Sequence, residues 1–261
     1  MKDFNKLTFS DNFMFTKILY DDLEITKEIL EMLTNRKLEN LSPVEKEKSI
    51  DVQFDAKGIR LDIYVEDRDL SVYNAEMQTE NLPDLPKRAR YYHALITLHM
   101  LKKGDDYESL REAFVIFILK NGLGKDYPKA IYEYEYREKD PEGKSLHDGT
   151  HILFINAATK DKNIPQSLKE FLHYVHSGEI MNRENSLTRR LEARVEAEKI
   201  DPRRRQEYML VSELVEMGRK EGHEEGLKTA LAQLMQNTHC SLSDACKMLG
   251  LREDTYKDLK K

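Results

Sequence analysis

Hydrophobic positions along the chain first recur at three- and four-residue intervals. Phe13, Phe15, Ile18, Leu19, Leu23, Ile25, Ile29, Leu30 and Leu33 predict one helix over 11–34, capped by Ser10 or Asp11 and ended at Asn35. The period then changes. Ile50, Val52 and Phe54 alternate with Asp51, Gln53 and Asp55, which is strand spacing. Ala56-Lys57-Gly58 reads as a tight turn. A second strand runs from Ile59 to Glu66, with Ile59, Leu61, Ile63 and Val65 on one face and Arg60, Asp62, Tyr64 and Glu66 on the other. A third runs from Leu70 to Thr79. Short connections between the three predict an antiparallel meander.

Residues 84–103 return to helical spacing, with Pro86 in the first turn and Leu95, Leu98, Met100 and Leu101 as apolar positions. The continuous apolar run 113–119 suits a strand buried on both faces. Tyr132, Tyr134 and Tyr136 alternate on one face of 130–136, and His151 to Ile155 form another short strand. Pro165 opens a helix through Val175. The pattern is α/β: helix, three-strand meander, helix, strand. From residue 183 charged positions dominate. Such helices bury little apolar surface of their own and need a partner, so self-association through the C-terminal helices is expected. Gly218, Gly222 and Gly226 fall along one side, as close helix packing or hinges would require. The expected organisation is a core over 1–182, a charged helical region over 183–226 and a small helical tail over 227–261. In the tail Ser243 caps a helix over Ala245–Leu249, Gly250 ends it, and another helix follows from Arg252.

Composition narrows the class. Of 261 residues, 39% are hydrophobic and 34% charged, which fits solvated helices. Only 11 Gly and 7 Pro argue against collagen-like or many-turned all-β chains. No apolar run approaches the ~20 residues of a membrane span. The start, MKDFNKLTFS, lacks an apolar signal core, so a cytoplasmic protein without membrane association is expected. Cys240 and Cys246 cannot supply a zinc quartet. The formal charge of −6 means that any nucleic-acid contact uses a local basic patch.

Candidate chemistry sits in the meander. Asp62 lies in its second strand. Glu76 and Gln78 lie in the third and share a face, because side chains alternate. If these strands are adjacent, the two carboxylates can converge. Hard oxygen ligands at short distance suit Mg²⁺, which keeps several waters and binds substrate phosphate. Such a metal lowers the pKa of bound water and offsets charge on a phosphodiester in the transition state. Gln78 can orient that water but is neither a cation nor a general base. Spacing alone favours the solvated face of a half-exposed sheet, since alternating charged residues are expected on antiparallel strands.

KGIRLDIYVED followed by YNAEMQT resembles the Rpn-type recombination-promoting nucleases, also described as PD-(D/E)XK nuclease family transposases. SDNFMF, LPKRARYYHAL, LKKGDDYESL, FVIFIL and GRKEGHEEG extend the resemblance over most of the chain, least specifically after residue 226. It implies a restriction-endonuclease-like core and divalent-metal-dependent cleavage of DNA, linked to recombination or mobile elements. By motif, Asp62 matches the aspartate, Glu76 the acidic residue, and Gln78 the position usually held by Lys. Met77 offers a backbone carbonyl to the metal. Asp11, in SDNFMF, matches the acidic position near the first helix, as an accessory ligand or a helix cap.

The helix after this motif carries Lys87, Arg88, Arg90, Lys102 and Lys103, with no Asp or Glu over 87–103. Lys87, Arg88, Arg90 and Tyr91 are therefore the expected DNA-backbone contacts, with Tyr92 beside them. An ordinary amphipathic helix has the same basic face. Arg203-Arg204-Arg205, among acidic neighbours, reads as a solvated helix face. His173 and His176 lack an obvious third ligand. No GxSxG, P-loop or GxGxxG is present. The tail carries acidic residues where a groove-reading helix needs basic ones. The competing class is a non-catalytic oligomeric interaction protein that keeps the nuclease fold.

Overall fold

The computed structural model describes residues 2–50, 59–68, 71–80, 83–140, 142–182, 184, 186–238, 240–251 and 255–256. They form two compact units, one over Lys2–Asp201 and one that begins at Pro202.

In the first unit, the helix expected over 11–34 is two helices, α1 (Asn12–Asp21) and α2 (Leu23–Thr34). The break falls at Asp22. Its carboxylate accepts from the Ile25 N–H at 3.1 Å and so caps α2. Asn35, at φ 53°, ends α2 in the left-handed region. Asp11 stands at the N-cap position of α1, but its side chain makes no cap bond. It turns back to accept from Thr8 N–H at 2.6 Å and pairs with Lys2.

The meander follows as β1 (Glu45–Ile50), β2 (Ile59–Glu66) and β3 (Val72–Gln78), each pair antiparallel. The first strand thus starts earlier than the alternation around Ile50 predicts. Positions 51–55 of that expected strand, and the 56–58 turn, lie outside the described residues. β4 (Ala113–Leu119) runs parallel to β3, is buried at every position, and pairs in parallel with β6 (Thr150–Asn156). β5 (Ile131–Tyr134) closes the other edge antiparallel to β6, so the six-stranded order is β1-β2-β3-β4-β6-β5. Helix α3 (Leu85–Met100) packs Leu85, Ala89, Tyr92, Leu95 and Ile96 into one cluster with Val115, Phe117 and Phe154. Helix α4 (Gln166–Ser177) meets the N-terminal segment through Phe171 and Tyr174 around the Phe9 ring.

Helix α5 (Leu187–Ile200) belongs to this unit, so the division lies at 201/202 rather than near 182. Leu187, Leu191 and Val195 recur every four residues and are buried. Ser186 caps the helix by accepting from Arg189 N–H at 3.3 Å.

The second unit is α6 (Pro202–Thr238), 37 residues long, and α7 (Leu242–Met248). Leu231, Leu242, Ala245, Cys246 and Tyr256 form its small core. Ser241, not Ser243, caps α7 and accepts from Asp244 N–H at 3.2 Å. Residues 252–254, where a further helix is expected to begin, lie outside the described residues. A Cβ placed at Gly218, Gly222 or Gly226 would meet nothing within 4 Å, so these glycines are not explained by packing within the described chain. No described helix is long and apolar enough to cross a membrane.

A chain ended at Asp201 should unfold cooperatively, whereas one ended at Asn182 loses the three buried apolar side chains of α5, Leu187, Leu191 and Val195. At about 1.5–3 kcal/mol each, the difference should be roughly 5 kcal/mol. Urea titration of both truncations reads it. Equal stability would place α5 outside the core.

Candidate active site

The β2–β3 register pairs Ile63 with Ala75 and Tyr64 with Asn74, which sets Asp62 directly opposite Glu76. Period-two alternation turns both carboxylates to the same side of the sheet. Asp62 N–H donates to Glu76 Oε1 at 3.0 Å, and Met77 N–H donates to Asp62 Oδ2 at 3.3 Å. Each carboxylate is thus held by the backbone of the other's strand. They are 7% and 2% exposed, which overturns the solvated-face reading.

Helix α3 covers this face. Arg88 reaches in from it, with one guanidinium nitrogen 3.5 Å from Gln78 Oε1 and another 3.0 Å from the Tyr92 hydroxyl. The guanidinium also lies over the Tyr92 and Phe117 rings, at 5.5 and 5.8 Å from their centroids. Burial pushes the Glu76 carboxyl well above the ordinary carboxylate range, and the Asp62 charge pushes it further. The Asp62 N–H and Arg88 act in the opposite sense without cancelling that rise. Asn74, wholly buried on the same face, also draws the carboxyl down, yet its amide closes no hydrogen bond of good geometry. Burial, and then Glu76, raise the Tyr92 hydroxyl.

Chemically this is a pair of hard oxygen donors short of cationic charge. No group of three His, Cys, Asp or Glu gathers anywhere among the described residues, so a cation here would complete its shell with carbonyl oxygen and water. That donor set fits Mg²⁺ better than zinc.

The sequence pattern of the PD-(D/E)XK nuclease family transposases matches residues 8–209. The chain belongs to that family. No curated protein and no solved structure matches it.

Within this nuclease-family chain the expected site residues separate into groups. Asp62, Glu76 and Gln78 come together, with Met77 between the last two on β3. Arg88 joins them rather than the outer face of α3. Lys87, Arg90 and Tyr91 occupy the exposed side of the same helix. Asp11 has its carboxylate committed to Thr8 and Lys2. His176 Nδ1 meets the Lys120 carbonyl at 2.8 Å, a structural contact rather than metal ligation. Tyr92, expected beside the DNA backbone, is instead buried and steadies Arg88, and Asn74 was not singled out from sequence. Helical spacing from Leu85 through Arg88 and Tyr92 to Leu95 carries the first signal. Strand parity with Glu76 and Gln78 carries the second.

The raised Glu76 pKa has a signed consequence. In metal-free protein the folded state holds that proton at pH values where the unfolded chain has released it. Stability therefore falls as pH rises above the ordinary value of 4.5 toward the folded value. The slope from one such group is at most about 1.4 kcal/mol per pH unit. Glu76→Gln should flatten this loss, read by urea unfolding between pH 5 and 8 in the presence of EDTA. An equal loss in both proteins contradicts it.

Proposed function

We propose that the chain is a divalent-metal-dependent DNA endonuclease, and the observation that carries this is the buried Asp62–Glu76 pair facing Arg88. The two carboxylates, with the Met77 carbonyl, would hold Mg²⁺. When bound, the ion supplies an activated water and charge to offset the phosphodiester. To hold the ion Glu76 would have to be ionised, against the burial that favours its protonated form. The Gln78 amide oxygen accepts from the attacking water and orients it, without serving as a base. Arg88, braced by Tyr92, presents a fixed cation where negative charge grows on the phosphoryl oxygens. Lys87, Arg90 and Tyr91 hold the sugar-phosphate backbone along the exposed side of α3, contacts that position DNA without reading its sequence. A nuclease of a transposase family suits a role in recombination or mobile elements.

A second copy of this chain is the proposed partner of α6. Leu210, Leu214 and Met217 recur at four- and three-residue intervals and are each more than half exposed. Val211, Val215 and Gly218 extend the stripe around the same side. Pairing would bring two active sites to one duplex, one for each strand.

Asp62→Ala and Glu76→Ala should each abolish nicking of supercoiled plasmid in Mg²⁺ while the protein stays folded. Arg88→Ala should slow it by about 10²-fold. Full activity in either carboxylate variant removes the proposed metal site. Light scattering should give the full chain a higher stoichiometry than the truncation at Asp201. An unchanged stoichiometry moves the interface into the first unit.

A further inference from the structure

The three parallel strands end level with one another, since Gln78, Leu119 and Asn156 are in register. The chain leaves each of them at the same edge of the sheet, two residues beyond Glu76. Short bonds clamp these loops together there. Lys120 N–H donates to the Gln78 carbonyl at 2.9 Å, and Ala157 N–H donates to the Leu119 carbonyl at 3.1 Å. Asn121 Nδ2 donates to the Thr79 carbonyl at 2.7 Å.

Two cavities open along this edge and share Ala158, Thr159 and Lys160. The larger, about 480 Å³, adds Lys162, Lys169, His173 and His176 to its lining. The smaller, about 310 Å³, adds Asn121, Gly122, Gly124 and Lys125. Gly122, at φ 74°, passes so close to Asn156 that a Cβ would lie 2.4 Å from its Oδ1, so this approach requires glycine. Lys125, Lys160, Lys162 and Lys169 are all exposed, and none is in an ion pair among the described residues. The acidic neighbours are Glu80, which lines an adjoining cavity with Gly122 and Gly124, Asp126, and Asp161, whose carboxylate accepts from Asn163 N–H at 2.9 Å.

Uncompensated ammonium groups on a chain of net charge −6 repel one another and gain most from a polyanion. β3 and β6 are two strand spacings apart, about 10 Å. Nucleotides rise about 3.4 Å each along one strand. A backbone that runs from Glu76 toward β6 would cross that distance within about three nucleotides. Lysine suits this task, as a point charge that grips phosphate without fixing base identity.

We propose that the loops after β4 and β6 form a second phosphate-holding surface for the DNA substrate, with Lys125, Lys160, Lys162 and Lys169 neutralising phosphates next to the one that is cut. This rests on the nuclease reading for its ligand. It adds a binding surface that the basic helix does not contain and that extends the track from α3 across the carboxyl edge of the sheet.

The test is fluorescence anisotropy of a labelled duplex against the full chain carrying Glu76→Gln, so that binding is read without cleavage. Adding Lys125→Ala, Lys160→Ala and Lys162→Ala should lower the log–log salt slope by about 2.7, three contacts at about 0.9 each. The same three positions changed to Arg should restore it. With Glu76 intact, the alanine variant should raise KM for plasmid and leave kcat in place. An unchanged slope overturns the proposal, as does duplex affinity that stays the same while inorganic phosphate still binds the cavities. If wild type nicks plasmid and the slope does not move, the surface is wrong and the nuclease reading stands. If wild type never nicks but the slope falls, the surface stands and the nuclease reading fails.

Discussion

Two carboxylates face each other across an antiparallel ladder in a place that water barely reaches. Desolvating one ionised carboxylate costs several kcal/mol, and a second of the same sign beside it adds repulsion. Asp62 and Glu76 endure this because the β2–β3 register leaves them no other place. Each accepts a backbone N–H from the opposite strand, which fixes their direction as well as their position. Arg88 offsets part of the charge from above. What remains is a site that holds a proton too tightly for a carboxylate and would exchange it for a cation.

Much of the first unit serves that arrangement. β4 is buried from end to end and gives β3 a rigid neighbour, so the pair cannot relax by shifting the ladder. Phe117, in register with Glu76, forms part of the floor beneath the Arg88 guanidinium. Tyr92 both packs into the core and bonds Arg88, which links the stability of α3 to the electrostatics of the site. The parallel run of β3, β4 and β6 then delivers three loops to one edge beside the carboxylates. A chain that is acidic overall can in this way gather local positive charge where a phosphodiester would lie.

Strand parity made Glu76 and Gln78 legible as one face, and the unbroken run from Ala113 to Leu119 announced a central strand. Register was not legible. Alternation says which side a residue faces but not which residue lies opposite, so the meeting of Asp62 with Glu76 needed the structure. The break at Asp22 was hidden because apolar spacing continues across it from Leu19 to Leu23. Helix α5 looked like part of a solvated tail because its buried stripe is only Leu187, Leu191 and Val195 among many charges. Lys87, Arg88 and Arg90 read as one basic cluster in sequence, yet helix geometry sends Arg88 inward and the others outward. Lysines 125, 160 and 162 carried no signal at all, since only the sheet brings their loops together.

If the Asp62–Glu76 pair holds a cation as proposed, filling it should expel the Glu76 proton. Calorimetric titration of Mg²⁺ or Mn²⁺ into the full chain near neutral pH, repeated in buffers of different ionisation enthalpy, tests it most directly. Wild type should show a saturable site with net proton release. Proton release should disappear in Glu76→Gln, and binding should be lost in Asp62→Asn. Equal binding and equal proton release in all three proteins, or no binding in wild type, would contradict it.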